Sequence, residues 1–362
     1  KVNFESKIHQ KITVFMGEEM ENGGHVKHKL SAGPDYVDHW TLRAGKNEFE
    51  TITFRNFRYV ELIGLDEVTK KTVIQDLNTI NGWAVYQKFD EEDSYFESSG
   101  VDEALLLNLL YELSKYTIKA TNQDVFVDSQ ARERAPYEGD LLVNSNTSYS
   151  VRCNYSLARH SNEWLIDNPT WPNDYSLFSV EMAYWDYMYT GNSDSLRRNF
   201  DSLKKKLKIK VASEDHETGL IYADSGGQAG HTALIDWPVR ERDGYTESHY
   251  DVILNAEYVA MYRYMSMICE ALNKSDEAIE YNSKSEKLKK TLINFAYDRK
   301  NGCFYDSLSR DLKPTQHSST HASAYSLCYG VFEGQEMADS LCNFVFERCK
   351  IEFKGSVYAS YF

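Results

Sequence analysis

The chain has 362 residues and a formal net charge of −15. This length allows about two domains with a sizeable core. An acidic chain without a basic stripe is not typical of a nucleic-acid-binding protein, and no stretch predicts a signal peptide or a membrane span. The first residue is Lys1 rather than Met, so the compartment stays open, with a periplasmic or extracellular location favoured over a cytoplasmic one.

The first 92 residues have the pattern of a small antiparallel β domain. Residues that favour strands cluster in Lys11–Met16, Phe49–Arg55 and Phe57–Ile63, and glycine-containing turns separate the clusters. Several short strands with such turns predict a β-sandwich over residues 1–92. We interpret it as a packing scaffold in preference to a lectin-like sugar-binding module.

From about residue 93 onward the hydrophobic period becomes helical. Leucines recur at i, i+3 and i+4 within Val101–Thr121. The same period predicts six further helices: Asp174–Tyr189, Ser195–Val211, Tyr250–Leu272, Ser275–Ala296, Ser319–Phe332 and Gln335–Arg348. Residues 93–362 are therefore expected to form a helical domain. The six cysteines show no metal-ligand spacing, and free thiols are expected rather than disulfides.

Two charged segments share one design. The segment from Asp128 to Asp140 combines acidic residues, arginines and a tyrosine around a proline, and its Pro and Gly predict a loop. The segment from Asp236 to Tyr245 repeats its skeleton, because in both segments Arg follows the first Asp by four residues and Tyr follows it by nine. Two loops of the same design predict one site that is built from two sides.

This combination of side chains is suited to carbohydrates. Carboxylates and arginines form directional hydrogen bonds with sugar hydroxyls, and aromatic rings cover the apolar face of a pyranose. Glycoside hydrolysis needs one carboxylic acid and a second carboxylate. Glu133 lies between Arg132 and Arg134, which favour its ionised form, so burial or a nearby carboxylate must outweigh them in a general acid. The alternative is a surface ion-pair network that only closes the loop.

The segment from Asp128 to Asp140 resembles the signature of the bacterial α-L-rhamnosidases of glycoside hydrolase family 78, Asp-x-x-x-Arg-Glu-(Arg/Lys)-x-Gly-Trp-x-Gly-Asp. Two positions differ, since Pro136 and Tyr137 stand where the family usually has Gly and Trp. The similarity runs from about residue 90 to the C-terminus and includes three more segments: Tyr95–Leu110, Asp174–Asn192 and Asp236–Tyr245.

The resemblance implies a β-sandwich followed by an (α/α)6 six-hairpin toroid, for which the sequence predicts too few helices, so an incomplete toroid is expected. It implies a bacterial glycosidase that removes terminal α-L-rhamnose from glycans or glycosides by an inverting acid/base mechanism, without a metal or another cofactor. The family's general acid corresponds to Glu133, and Asp128, Arg132 and Asp140 correspond to residues that hold rhamnose hydroxyls. The family's general base is expected to lie beyond Phe362.

Further residues are assigned to substrate binding. Tyr137 is expected to cover a sugar face, and Trp171, which lies in a loop, is interpreted as a sugar platform. The second charged segment contributes the remaining candidates: Asp236, Trp237, Arg240 and Asp243. An ion-pair role is the alternative for Asp236 and Arg240, and Glu241 is an alternative base partner by its likeness to Glu133.

The expected partner is a carbohydrate and not a nucleic acid, and the oligomeric state stays open. Two alternatives to a rhamnosidase remain. The changes at Pro136 and Tyr137 permit a six-hairpin glycosidase that acts on a different sugar. A non-catalytic carbohydrate-binding fragment is the other alternative.

Overall fold

The computed structural model describes residues 2–75, 80–172, 174–208, 212–223 and 234–362. The chain divides into two compact units, Lys1–Ala135 and Pro136–Phe362. Among the described helices, none combines the length and the apolar character that a membrane crossing requires. Within the part of the chain that the structure describes, the six cysteines form no disulfide.

The first unit begins with antiparallel strands and continues with helices. Its elements are β1 (Val2–Ser6), β2 (Gln10–Gly17), β3 (Val37–Leu42), β4 (Gly45–Phe49), β5 (Tyr59–Ile63), α1 (Glu67–Gln75) and α2 (Ala104–Thr121). The central strand β2 pairs antiparallel with β3 on one side and with β5 on the other, and β1 pairs with β4 in a separate ladder.

The core of the first unit follows from the alternation of side chains along β2. Ile12, Val14 and Met16 are buried, because every second residue of a strand faces the same side of the sheet. Tyr36 and Leu42 complete this core. Burial of these side chains fixes the register of β2, since a slip by one residue would expose all three.

Helix α2 forms where the leucine spacing predicts a helix, but its leucines remain largely exposed. Leu105 is 72% exposed and Leu109 is 58% exposed. Helical period predicts the face on which apolar residues gather, and it does not predict whether another element covers that face.

The second unit consists mainly of helices. They are α3 (Glu138–Val151), α4 (Ser156–Asp167), α5 (Tyr175–Thr190), α6 (Asp194–Lys206), α7 (Val252–Ala271), α8 (Ser275–Ala296), α9 (Thr320–Cys328) and α10 (Gly334–Ile351). Short strands lie between them: β6 (Ala212–Glu214), β7 (Ile221–Ala223), β8 (Tyr250–Asp251), β9 (Tyr297–Asp298), β10 (Cys303–Phe304) and β11 (Ser307–Leu308). Helix α7 is buried along most of its length and packs against α5, α8 and α9.

The order of sheets and then helices confirms the expected fold class. Several bounds differ from the prediction. The stretch predicted as a strand over Phe49–Arg55 contributes only Phe49, the last residue of β4. Helix α9 ends at Cys328 rather than Phe332, because Gly330 takes a φ of +76° that a right-handed helix excludes.

Helix α3 corrects the interpretation of residues 138–140 as loop. The proline that seemed to exclude a helix lies outside it, since α3 begins two residues later, after the extended Tyr137. Gly139 lies inside the helix. The expected boundary between a domain of residues 1–92 and one of residues 93–362 stays a prediction.

Candidate active site

Residues 128–135, here called the acid loop, form a closed loop in the first unit. The backbone N–H of Asp128 donates to the carbonyl of Ala135 at 3.0 Å, and the N–H of Ala135 donates to Oδ1 of Asp128 at 3.0 Å. Ser129 Oγ donates to Oδ2 of Asp128 at 2.7 Å and accepts from the N–H of Glu133 at 3.3 Å. Asp128 therefore closes the base of the loop with its own carboxylate.

Within the acid loop, Arg132 and Glu133 lie side by side near the surface. Nη2 of Arg132 is 3.2 Å from Oε1 of Glu133 and 3.7 Å from Oδ2 of Asp128. The side chains of Arg132 and Glu133 are 51% and 31% exposed, whereas that of Asp128 is 10% exposed. The arrangement leaves the arginine and the glutamate accessible to a ligand and keeps the aspartate as their support.

Arg134 has a different role from Arg132. It takes a φ of +57°, which an L-residue rarely adopts, and this left-handed turn reverses the chain after Glu133. Its guanidinium carbon lies 4.0 Å from the ring centroid of Phe54, and Nη1 donates to the Phe54 carbonyl at 3.5 Å. A cation–π contact of this kind anchors the acid loop to the first unit.

A cavity of about 320 Å³ lies beside the acid loop within the first unit. Its lining includes Arg132 together with Glu18, Glu19, Lys27 and Ser31. This lining carries charges of both signs and a hydroxyl, which are the groups that hydrogen-bond sugar hydroxyls.

The motif continues into the second unit at the start of α3. Tyr137 precedes the helix with extended backbone, and Asp140 lies in its first turn, where a carboxylate is favoured by the helix dipole. Both side chains are partly buried and have further contacts. Gly139 lies against the ring of Tyr175, and a Cβ at this position would be 2.3 Å from Cζ of that ring. Only glycine permits so close an approach.

Trp171 and Trp237 form an exposed aromatic pair in the second unit. Their ring centroids are 5.8 Å apart and their planes are inclined by 65°. Trp171 is 53% exposed and Trp237 is 60% exposed. Large exposed aromatic rings that meet edge to face offer an apolar corner to a ligand.

Residues 236–245, here called the second charged loop, place their two aspartates inside the protein. Asp236 is fully buried, and it accepts from the N–H of Trp237 at 2.7 Å and from Nε2 of His321 at 3.0 Å. It also accepts from the backbone N–H of Ser356 at 2.7 Å and from its hydroxyl. Although burial raises the pKa of Asp236, the hydrogen bonds from His321, Ser356 and Trp237 together hold it below its usual value.

Asp243 is likewise enclosed. Its Oδ2 accepts from the N–H and the hydroxyl of Thr320, both at 2.8 Å, and Arg348 and Lys354 each lie 3.8 Å from its carboxylate. Burial raises the pKa of Asp243, but the Thr320 hydrogen bonds and the two cations outweigh it and lower the pKa. The assignment of Asp236 and Asp243 to sugar hydroxyls stays a prediction. In this structure both carboxylates accept from protein donors.

The two arginines of the second charged loop differ in exposure. Arg240 is 83% exposed and lies 3.5 Å from Glu241. Arg242 is buried, and its Nε donates to the Asp236 carbonyl at 2.8 Å. The acid loop belongs to the first unit and the second charged loop to the second, and their convergence on one pocket stays a prediction.

Sequence reasoning missed three residues that support this region. Glu138 is fully buried and binds Thr170, and His321 and Ser356 hold Asp236. Glu138 lies inside the motif, and an acidic residue in the first turn of a helix is favoured by the helix dipole. This preference could have identified Glu138 as a supporting residue. His321 and Ser356 are far from Asp236 in the sequence, so no local sequence pattern indicates that they bind its carboxylate.

A group of buried carboxyl groups lies in the second unit. Burial raises the pKa of Glu181 and of Asp251 to about 7 in each case, and the hydrogen bond from Trp185 to Glu181 opposes this rise only in part. Burial, reinforced by nearby carboxylates, also raises the pKa of Glu257 well above its usual value. These groups hold protons at a pH where exposed carboxyl groups have lost them.

Antiparallel sheets followed by paired helices agree with the six-hairpin glycosidase class, to which the family comparison assigns the chain. Residues 91–352 match the model of the bacterial α-L-rhamnosidase six-hairpin glycosidase domain, and the chain belongs to that family. A search of curated proteins found no match.

Solved structures share the fold. The family 78 rhamnosidase of Bacillus sp. GL1 aligns with a TM-score of 0.71 and 18% identity over 94% of this chain. The α-L-rhamnosidase of Aspergillus terreus gives a TM-score of 0.73 and 20% identity over 97%, and the Klebsiella oxytoca rhamnosidase gives 0.67 and 13% over 96%. The chain spans 35%, 40% and 67% of the lengths of these three proteins, respectively.

Proposed function

We propose that the protein removes terminal α-L-rhamnose from glycans or glycosides by an inverting acid/base mechanism. The observation that carries the proposal is the acid loop, in which Asp128 closes the base and Glu133 and Arg132 remain accessible. A rigid loop that presents one carboxyl group beside one guanidinium can orient a glycosidic oxygen and donate a proton to it.

Glu133 acts as the general acid in this proposal. It donates its proton to the glycosidic oxygen as the bond to the anomeric carbon breaks. A water attacks that carbon from the opposite face and gives its proton to the second carboxylate that inversion requires. In the free protein Arg132 contacts Glu133 at 3.2 Å. The mechanism has sugar hydroxyls take over Arg132 when substrate binds, which lets the Glu133 carboxyl group face the glycosidic oxygen.

The sugar is recognised by hydroxyl-binding groups and by aromatic rings. We assign Arg132, Asp140 and the exposed Arg240 to hydrogen bonds with the sugar hydroxyls. Tyr137, Trp171 and Trp237 are assigned to contacts with the apolar C–H faces of the sugar ring. A 6-deoxy sugar such as rhamnose has an apolar methyl group, and the corner between Trp171 and Trp237 suits it. Asp236 and Asp243 support the second charged loop from inside, and Asp128 supports the acid loop.

The cavity beside the acid loop provides room for the leaving group. Since Glu133 protonates the leaving oxygen, the group that departs lies next to the acid loop. The polar lining by Glu18, Glu19 and Lys27 favours a hydroxylated leaving group, such as another sugar, over a flat aromatic one.

The test compares aryl α-L-rhamnoside with other aryl glycosides, using the protein and its Glu133→Gln variant. We expect turnover of the rhamnoside alone. With an aryl group that leaves poorly unless it is protonated, we expect a loss of about 10²–10⁴-fold in the variant, the range that general acid catalysis contributes. NMR of the first-formed sugar should show the inverted anomer.

Glu163→Gln is the matched control, because Glu163 is also a partly exposed glutamate that pairs with an arginine, Arg198, at 2.6 Å. It should retain the parent rate. Turnover of another glycoside in preference to the rhamnoside would indicate a different sugar. Binding of L-rhamnose without any turnover would leave only a carbohydrate-binding function.

A further inference from the structure

One buried carboxylate within the motif has no part in the proposed chemistry. Glu138, the first residue of α3, is 0% exposed. It is flanked by Tyr137 and Gly139, and it stands between the acid loop and Asp140 in the sequence. A buried charge is costly unless partners compensate it, so its partners indicate its role.

Two partners from distant parts of the second unit meet at this carboxylate. Nζ of Lys206, at the end of α6, lies 3.6 Å from Oε1 of Glu138 and donates to the Leu165 carbonyl at 2.8 Å. Burial lowers the pKa of Lys206, and Glu138 opposes that effect. Thr170 donates its hydroxyl to Oε2 of Glu138, and its backbone N–H donates to Oε1 at 3.4 Å.

Thr170 immediately precedes Trp171. Glu138 thus fixes both the backbone and the side chain of the residue that determines where the Trp171 ring lies. Trp237, the partner ring at 5.8 Å, is held in an analogous way, because the buried carboxylate of Asp236 accepts from the Trp237 N–H at 2.7 Å. A buried carboxylate therefore accepts from Trp237 itself in one case and from the residue before Trp171 in the other.

We propose that Glu138 is a positioning residue that, through Thr170 and with Lys206 as its counter-ion, sets the place of the Trp171 ring for sugar binding. This inference rests on the proposed function for the nature of the ligand. Glu138 is also the first residue of the helix that carries Asp140. One buried residue therefore lies next to both a proposed hydroxyl-binding side chain and the residue that precedes an aromatic ring. Pre-organisation of this kind raises affinity because the ring need not be ordered on binding.

The test uses protein labelled with 5-fluorotryptophan and ¹⁹F NMR, with the six resonances assigned to their residues by single Trp→Phe variants. Thr170→Val removes only the hydroxyl that Glu138 accepts. We expect it to shift or broaden the Trp171 resonance, and to lower the affinity for L-rhamnose by about tenfold, the factor that ~1.4 kcal/mol represents. Thr170→Ser should restore both, because it returns the hydroxyl.

Glu138→Gln retains an acceptor for Thr170 but removes the charge that Lys206 faces, so we expect a smaller effect in the same direction. Thr190→Val and Asp186→Asn are matched controls from a partly buried cluster of the same unit. In this cluster Arg159 donates to the Asp186 carboxylate at 2.8 Å and to the Thr190 hydroxyl at 3.2 Å, and that hydroxyl donates to the Asp186 carbonyl. Both controls should leave the Trp171 resonance and the rhamnose affinity unchanged.

An unchanged Trp171 resonance in both Thr170→Val and Glu138→Gln, with the fold intact by circular dichroism, would overturn the inference. So would an equal response to the two controls, which would indicate general loosening of the second unit. If the parent protein binds no L-rhamnose, the proposed function fails, while the resonances still decide whether Glu138 positions the ring.

Discussion

The indole rings of Trp171 and Trp237 meet edge to face, with 5.8 Å between their centroids. Both residues are more than half exposed. The backbone N–H of Trp237 donates to Asp236, and that of Thr170, the residue before Trp171, donates to Glu138. Both carboxylates are fully buried. Buried carboxylates thus hold the backbone at or beside the two tryptophans whose rings form the exposed apolar corner. In the proposed function, a sugar that packs on one ring would meet the other ring at an angle, so the pair would select for shape as well as for apolar character.

Loss of either ring should weaken sugar binding with little effect on stability. Trp171→Ala and Trp237→Ala are each expected to lower the affinity for L-rhamnose by about tenfold, since each removes one wall of the corner. Trp185→Ala is the contrasting variant, because Trp185 is partly buried and donates to Glu181 at 3.2 Å. It should lose ~3 kcal/mol of stability and retain affinity. Calorimetric titration and denaturant unfolding measure the two effects, and parent-like affinity in both exposed-ring variants would exclude the aromatic corner as a site.

Asp236→Asn should remove a contribution to the free energy of unfolding that is present at neutral pH and lost in acid. The pKa of Asp236 is lowered in the folded protein, so its contribution is fully present above its unfolded pKa, about 3.9, and is lost as the pH falls through the lower folded value. An asparagine cannot accept all the hydrogen bonds of the carboxylate, and we expect a loss of ~2 kcal/mol at neutral pH. Urea unfolding between pH 2.5 and 7 should show parent and variant converging at the acid end. A constant difference across that range would contradict the assignment.

Glu181→Gln should change the pH dependence of stability in the opposite direction. Burial raises the pKa of Glu181 to about 7, so the folded state retains a proton that the unfolded chain releases above about pH 4.3. The contribution of this group is present below that value and declines as the pH rises towards 7. The glutamine variant still accepts from Trp185 and lacks this decline, so it should exceed the parent in stability at pH 8 by on the order of 2 kcal/mol. Equal slopes in parent and variant between pH 4.5 and 7 would refute this.

Gly139→Ala should disturb the start of α3. The added Cβ would lie 2.3 Å from Cζ of Tyr175, and the ring or the helix would have to move, at a cost of ~1–3 kcal/mol. Gly82→Ala is the control, because its Cβ would meet Phe57 at an ordinary 3.7 Å. Thermal unfolding of both variants tests the prediction, which fails if they have the same Tm.

The sequence predicted elements well where the local pattern was sufficient. Helix α8 has the predicted bounds, Ser275–Ala296, because a regular apolar period runs through its whole length. Helix α3 was missed, since its glycine is required by contact with Tyr175 rather than by local conformation. The leucines of α2 have the expected spacing and remain exposed, because spacing alone does not determine what packs on a helix.

The same distinction applies to the candidate site. The motif indicated the acid loop, since its residues are neighbours in sequence and the loop is closed by its own aspartate. The protein partners of Asp236 could not be predicted, because a charged residue beside an exposed tryptophan resembles a ligand-binding group. Only the fold brings His321 and Ser356 to its carboxylate. Partners separated by such distances along the chain are set by tertiary packing.

The raised pKa values of Glu181, Asp251 and Glu257 favour proton uptake when the second unit folds at neutral pH. Their raised pKa values mean that the native interior takes up protons which the unfolded chain has given to the solvent. Refolding in weakly buffered solution at pH 7 therefore makes that solution more alkaline. The heat of unfolding changes with the ionisation enthalpy of the buffer, and this difference counts the protons exchanged.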